Sequence, residues 1–473
     1  MTATHEPAVE ELDDTDLKRS ITGRQLFFYV LGDVLGSGIY VLIGAVAAAV
    51  GGAFWLAFLV GVTVATLTGM AYAELVTKYP RAAGASLYVN RAFGIPAVTF
   101  LVTVAMLASS FAASGSLAAG FSGYFAEVWA GPPALLVSIL FVVALCVINF
   151  IGITESVVAN VAMTLVEITG LLIVVLIGLG TIFGGDADFA VLVDFDGGDN
   201  WMLALIAGVA LGFFAMTGFE NAANVAEECT EPRRTFPKAL VGGMVGAGIV
   251  YVTVAIAAAL TVPVDQLAAS KAALLEVVET GFLGLPQSFL STLFAVIAMV
   301  AITNTTLVTF VTQSRILYGM ANEDVVPNVF AKVHSSRRSP WVGLLFSGVV
   351  VAGLLVASHV LPKVEDVSVV ERLAAVTVLL LLFVYASVIV SALKLRGEDE
   401  TPDTYRAPTL LLLAGLVGNL VLLGYVVYDD PTSLWWSLAL IGLGVVLFVL
   451  EYFFGSNDRP EGVERGDPAA LKD

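Results

Sequence analysis

Cysteine and histidine are scarce in this chain of 473 residues, which has two of the first and three of the second. Cys146 sits in an apolar run and Cys229 near an expected helix end, so no disulfide is expected. His5, His334 and His359 are scattered, and no metal-ligand spacing appears. Charge is sparse as well. Only 13% of residues are Asp, Glu, Lys or Arg, against 58% hydrophobic, too few to cover a water-soluble protein of this size. Positive charge is rarest: 22 Lys and Arg face 40 Asp and Glu, a net charge of −18, and nothing favours nucleic-acid binding. No Ser/His/Asp arrangement, metal cluster or nucleotide-binding loop gathers at one face, so no enzyme and no cofactor is expected. Residues 1–23 lack the basic-then-apolar pattern of a signal peptide, so the first apolar segment is expected to be retained.

What the chain has is long apolar runs, with a mean hydropathy of +0.92. A spanning helix needs about 20 mostly apolar residues. Twelve stretches qualify: 25–49, 53–77, 95–125, 133–152, 155–183, 200–228, 236–262, 285–318, 340–361, 367–394, 408–427 and 433–454. If the N-terminus is inside, all but three of the 22 basic residues fall in inner segments, the exceptions being Lys271, Lys363 and Arg372. The positive-inside rule then predicts both termini in the cytoplasm and an even number of spans. Trp55, Trp129, Trp201, Trp341, Trp435 and Trp436 all fall at expected helix ends, as an interfacial belt requires. Acidic residues crowd both tails, a pattern of solvated ends or of halophilic adaptation, and only 8 of the 22 basic residues are lysine. The expected setting is the cell membrane of a halophilic archaeon.

Within the first run stands Gly32–Tyr40, GDVLGSGIY. Gly36 lies about 11 residues in, roughly 16 Å at the α-helical rise, close to the midplane of a ~30 Å core. Glycine weakens a helix, and unwound backbone in a membrane is tolerated only where it is buried or lines a cavity. The sixth run holds a second weak point, Thr217-Gly218, within GFFAMTGFENAANVAEE (212–228). Spans 1 and 6 are corresponding members of two five-helix halves, and an odd number of spans per half requires opposite insertion. Interrupted helices at matching places in inverted halves point to a transporter's binding site. Half-helix N-termini offer N–H groups to a carboxylate, and freed carbonyls offer a seat to an ammonium or a cation. Taken alone, the glycines could equally serve close helix packing.

Four acids fall in or near apolar runs: Asp33, Glu74, Glu167 and Glu220. Acids in hydrocarbon are costly and are functional candidates by default. Asp33, the deepest, is a candidate proton carrier or amine partner. Its structural alternative is packing against span 8, where ITNTTLVT (302–309) offers hydrogen-bond partners. Glu167 shares a helical face with Asn160 and Thr164. Glu220 lies one turn from Asn224. Glu74, near the inner end of span 2 and within reach of Lys78, reads as a structural or gate ion pair.

Four stretches resemble the amino acid–polyamine–organocation superfamily of permeases, which has a LeuT-like fold. They are GDVLGSGIYVLIG, YAELVTKYPRAAGASLYVNRAFG, FFAMTGFENAANVAEECTEPRRTFPKAL and SRILYGMANEDVVP, in the right order on a matching twelve-span frame. The resemblance implies an all-α integral membrane protein: twelve transmembrane helices, a 5+5 inverted repeat with helices 1 and 6 broken, and two C-terminal helices. The expected divisions are an acidic tail (1–23), the first repeat (24–184), the second (185–396), the last two spans (397–455) and a second acidic tail (456–473). It implies that amides of Gly36, Ser37, Gly38 and Ile39 bind a substrate carboxylate. Carbonyls of Ala215, Met216, Thr217 and Gly218 would receive the amino group, and Phe214 would close over the substrate. Glu220 matches a carboxylate proposed to sense or move a proton. In sodium-coupled relatives span-8 hydroxyls and span-1 carbonyls form a cation site; here Gly32 and Leu35 would pair with Thr305 or Thr306. Some proton-coupled relatives carry a lysine where this chain has Glu167, so the charge is reversed. Asp33 stands where relatives often have a small or amide residue, which hints at a cationic substrate or at proton coupling. Ser109 and Ser110 are candidates for the side-chain pocket. The expected function is an amino acid permease working by alternating access and coupled to H⁺ or Na⁺, a monomer or homodimer in the bilayer. The alternatives are a polyamine or organic-cation carrier, an exchanger and a non-transporting sensor.

Overall fold

Every one of the twelve apolar runs is helical in the computed structural model. It describes residues 21–80, 84–151, 157–196, 200–281, 285–322, 325–335, 337, 339–360, 367–398 and 400–454. Residues 1–20 and 455–473, which hold the acidic stretches of both tails, lie outside the described residues. Among these residues the α-helices are α1 (Gly23–Leu35), α2 (Gly38–Val50), α3 (Trp55–Lys78), α4 (Gly84–Phe93), α5 (Pro96–Val128), α6 (Ala134–Ile151), α7 (Val157–Gly184) and α8 (Trp201–Phe213). They continue as α9 (Pro232–Thr261), α10 (Val264–Ala269), α11 (Ala273–Glu279), α12 (Gln287–Asn322), α13 (Trp341–Val360), α14 (Val369–Lys394), α15 (Thr409–Asp429) and α16 (Pro431–Phe454). Among the described residues, eleven spans are long and apolar enough to cross a membrane unaided. The pair α1 and α2, bent by 42°, makes a twelfth when taken as one. Residues 84–93 lie in an expected loop but form the short helix α4.

Local chemistry sets the helix ends. Thr22 caps α1 and Ser368 caps α14, each in a reciprocal box with Gln25 or Glu371. Pro96 and Pro232 open α5 and α9, where a missing N–H costs nothing. Large apolar side chains left exposed, such as Leu140, Val143, Ile249, Val349, Leu410 and Val417, belong to the outer surface of the bundle. A lipid-facing surface takes that composition.

α14 is the most buried span, whereas α15 and α16 lie at the edge. α5 runs between α12 and α14; α1, α3 and α7 pack on α9, and α8 packs against α2 and α3. Small residues let these helices approach: a Cβ on Gly243 or Gly248 of α9 would run into Val30 or Val62. Past the end of α3 a polar clamp ties the helix to the segment between α14 and α15. Glu74 takes Nε of Arg396 at 3.0 Å, Nη2 at 2.9 Å and the Ala407 N–H at 2.9 Å. Thr77 accepts from the Tyr405 N–H at 3.1 Å. The sequence expectation named Lys78 as Glu74's neighbour. Lys78 instead donates to the Leu395 carbonyl and stands 3.9 Å from Glu400. The arginine wins because its planar fork matches a carboxylate at two points.

Candidate functional site

Span 1 breaks at Gly36-Ser37. The Gly36 N–H still reaches Gly32 O, but α1 ends at Leu35 and α2 starts at Gly38 in a new direction. Gly38 is required by its neighbour, since a Cβ there would overlap the Ala215 backbone. Span 6 breaks opposite it. α8 gives way to a 3₁₀ turn at Phe214–Met216, Thr217 is extended, and Gly218 takes φ +114°, a region that disfavours L side chains. Residues Phe219–Glu228 then continue as 3₁₀ helix rather than the α-helix that the one-turn spacing of Glu220 and Asn224 assumed. Asn224 consequently sits over Gly84 and away from Glu220.

One hydroxyl joins the two breaks. Tyr251 of α9 donates to Val34 O at the end of α1 and to Ala215 O, 3.1 Å away, in span 6. Between the breaks lies a cavity of about 50 Å³. Its lining includes Asp33, Gly36, Ser37, Gly38, Phe214, Ala215, Thr217, Gly218, Glu220 and Thr305 from the expected set. Ser109 and Ser110 line it too. Among the described residues, no lysine or arginine does. The start of α2 supplies donors, because the first N–H groups of a helix lack an intrahelical acceptor. Ser37 N–H meets Thr305 Oγ1 at 3.2 Å, and the buried Ser37 hydroxyl has no partner among the described residues.

Both cavity acids are held by span 6 and its surroundings. Asp33 accepts from Asn221 Nδ2 at 3.1 Å, so its partner comes from span 6 and not from the span-8 hydroxyls. Glu220 Oε2 accepts the Gly218 N–H at 2.9 Å and the Tyr385 hydroxyl at 2.7 Å. Tyr72, Tyr88, Phe213, Phe219 and Tyr385, all fully buried, stack edge to face or tilted beside Glu220. Through Tyr72 of α3 and Tyr385 on Glu220, the cluster links the helix of the clamp to the cavity.

The remaining expected residues lie elsewhere. Ile39 and Met216 are fully buried but do not line the cavity, and neither do Gly32 and Leu35. Thr306 donates to Ile302 O within its own helix. Glu167 stands behind span 1, fully buried, and both its carboxyl oxygens lack a hydrogen-bond partner among the described residues. On its helical face Thr164 packs against Gly32 and Asn160 donates to Asn304 at 3.1 Å. Sequence reasoning missed Asn221, Tyr251, Thr312, Gln313, Tyr385 and Leu381. Only Asn221 gave a signal, as an amide beside Glu220; the rest sit in apolar runs that say nothing about azimuth.

A family model described as amino acid permease matches residues 21–450. Branched-chain amino acid permease BcaP of Bacillus subtilis is 24% identical over 85% of this chain and 86% of its own length. Methylthioribose transporter of the same organism is 24% identical over 92% of this chain and 93% of its own. Cationic amino acid transporter 4 of Mus musculus is 28% identical over 84% of this chain and 63% of its own length. With its spans, its broken first helix and a family match over nearly all of its length, the chain belongs to the amino acid permease family of membrane transporters.

Proposed function

We propose that this protein moves amino acids across the cell membrane by alternating access, with H⁺ or Na⁺ as the coupling ion. The observation that carries this reading is the meeting of two helix breaks at one buried cavity. The start of α2 suits a carboxylate, with Gly38 and the unpartnered Ser37 hydroxyl facing it, while the Gly36 and Ser37 N–H groups are held by Gly32 O and Thr305 Oγ1 and would have to change partner to join. Carbonyls from Ala215 to Gly218 suit an ammonium, and Phe214 borders the cavity where it can cover the ligand. Relatives named for branched-chain and cationic amino acids agree with a zwitterionic substrate.

In this reading both termini are cytoplasmic, and 24–184 and 185–396 are the inverted halves, with 397–455 at the edge. The aromatic cluster from Tyr72 to Tyr385 is then the closed inner gate. Asp33 and Glu220, when ionised, bring negative charge to the cavity, and among the described residues no lysine or arginine lines it to offset that charge, which suits a cation. Glu167 is a further seat for the coupling ion, because a fully buried carboxyl without partners is too costly to keep for packing alone. The same charge favours a second reading, a cationic substrate such as a polyamine.

The test is uptake by proteoliposomes in molar KCl, with Na⁺ and proton gradients imposed separately, for labelled amino acids and a labelled polyamine. Uptake driven by one gradient and reduced by Asp33→Asn is expected. Liposomes preloaded with unlabelled substrate separate exchange from symport. Absence of both binding and uptake for every amino acid would sink the assignment.

A further inference from the structure

Resting on that transport reading, we propose that the substrate is a small neutral amino acid of the size of alanine, serine or threonine, with the hydroxyl-bearing ones preferred. Three observations lead there: the space, the stiffness of its walls and the polarity of their hydroxyls.

The cavity of about 50 Å³ has room for roughly four waters. Alanine, serine and threonine fit that space; leucine, phenylalanine, lysine and arginine overfill it. The side-chain end is walled by Ser110, Ala113 and Leu117 of α5, Thr309 of α12, and Thr377 and Leu381 of α14. These walls do not part easily. Behind them the fully buried Gln313 donates to Ser110 O and to Ser114 Oγ, both at 2.8 Å, which ties α12 to α5. Ser116 of α5 donates to Val370 O of α14 at 2.8 Å and ties those two helices together. Beside it, Gly115 meets Leu373 so closely that a Cβ would stand 2.7 Å from Cδ1.

The hydroxyls of the wall have spent their protons on backbone. Ser110 donates to Met106 O at 3.0 Å, Thr309 to Thr305 O at 2.7 Å and Thr377 to Leu373 O at 2.8 Å. Each can then only accept from a ligand. Acceptors suit a substrate hydroxyl and oppose an acidic side chain, as do Asp33 and Glu220. A long cation exceeds the space between these walls, so the two carboxyls of the cavity are left for the coupling ion.

The experiment uses the full chain in proteoliposomes. Uptake of labelled alanine, serine, leucine and arginine is measured singly and in competition. Serine, threonine and alanine are expected to compete at concentrations at least tenfold below leucine or arginine. Leucine or arginine competing as well as serine would overturn the substrate class and leave the transport reading standing. Uptake of no amino acid would overturn both. Two kinds of variant probe the walls through ratios, which do not depend on the amount of folded protein. Leu117→Ala and Leu381→Ala should shift the leucine-to-serine ratio toward leucine by about tenfold, and Thr309→Val and Thr377→Val should shrink the preference for serine over alanine by about tenfold. Ratios unchanged in all four variants would overturn the assignment of these side chains.

Discussion

Gly218→Ala tests the break in span 6 at its tightest point. Gly218 holds φ +114° and ψ −34°. An L side chain in such a region carries strain of about 1–3 kcal/mol. The added Cβ would stand 2.8 Å from the Asp33 carbonyl oxygen and 3.2 Å from its Cγ. Backbone cannot swing aside as a flexible side chain can, so Asp33 must shift. Its carboxyl then loses the Asn221 amide at 3.1 Å, a contact worth about 1–3 kcal/mol. The two terms together come to about 2–6 kcal/mol, set against the conformation in which both breaks face the cavity. At about 1.4 kcal/mol per decade, initial uptake should fall at least about twentyfold. The assay is initial uptake into proteoliposomes, with elution on a sizing column as the check on folding. Gly424→Ala is the control, since a Cβ there meets nothing within 4 Å and it lies inside α15. A folded Gly218→Ala protein transporting within about threefold of the parent would refute the argument.

Tyr251→Phe strands two buried carbonyls, Val34 O and Ala215 O; a loss of about 1–3 kcal/mol is expected, read as a lower thermal midpoint together with slower uptake. Arg396→Met leaves Glu74, 1% exposed, without its fork; this should cost about 3–5 kcal/mol, and adding Glu74→Gln should restore most of it. Equal midpoints for the single and the double variant would contradict the clamp. Glu167→Gln replaces an ionisable carboxyl that does not line the cavity with a neutral amide. Substrate binding should persist within about threefold while gradient-driven accumulation falls at least tenfold, as measured by equilibrium binding beside uptake.

The spans were legible because lipid demands long apolar runs and helices, whatever packs against them. The breaks were legible because Gly36-Ser37-Gly38 and Thr217-Gly218 are locally poor helix at matching depth. Azimuth was not legible. Depth alone left Asp33 free to meet span 8, and the fold turned it to Asn221. The hydroxyl on Glu220 comes from Tyr385, hidden in a run of leucines. Arg396 reaches Glu74 across 322 positions of sequence, a distance no local pattern spans, while Lys78 was nearer only along the chain. The 3₁₀ winding of 219–228 also escaped, because composition does not distinguish it from α-helix, and it moved Asn224 to Gly84.

The Tyr251 hydroxyl touches one carbonyl on each side of the cavity. Together with the close approach of Gly38 to Ala215, that oxygen fixes how far the two breaks stand apart. If the α2 start grips a carboxylate and the span-6 carbonyls grip an ammonium, that atom acts as a ruler for the distance between the two groups. α-Amino acids, with one carbon between amine and carboxyl, match a fixed gauge. β- and γ-amino acids, whose charges are spaced wider, would be turned away before their side chains were ever read.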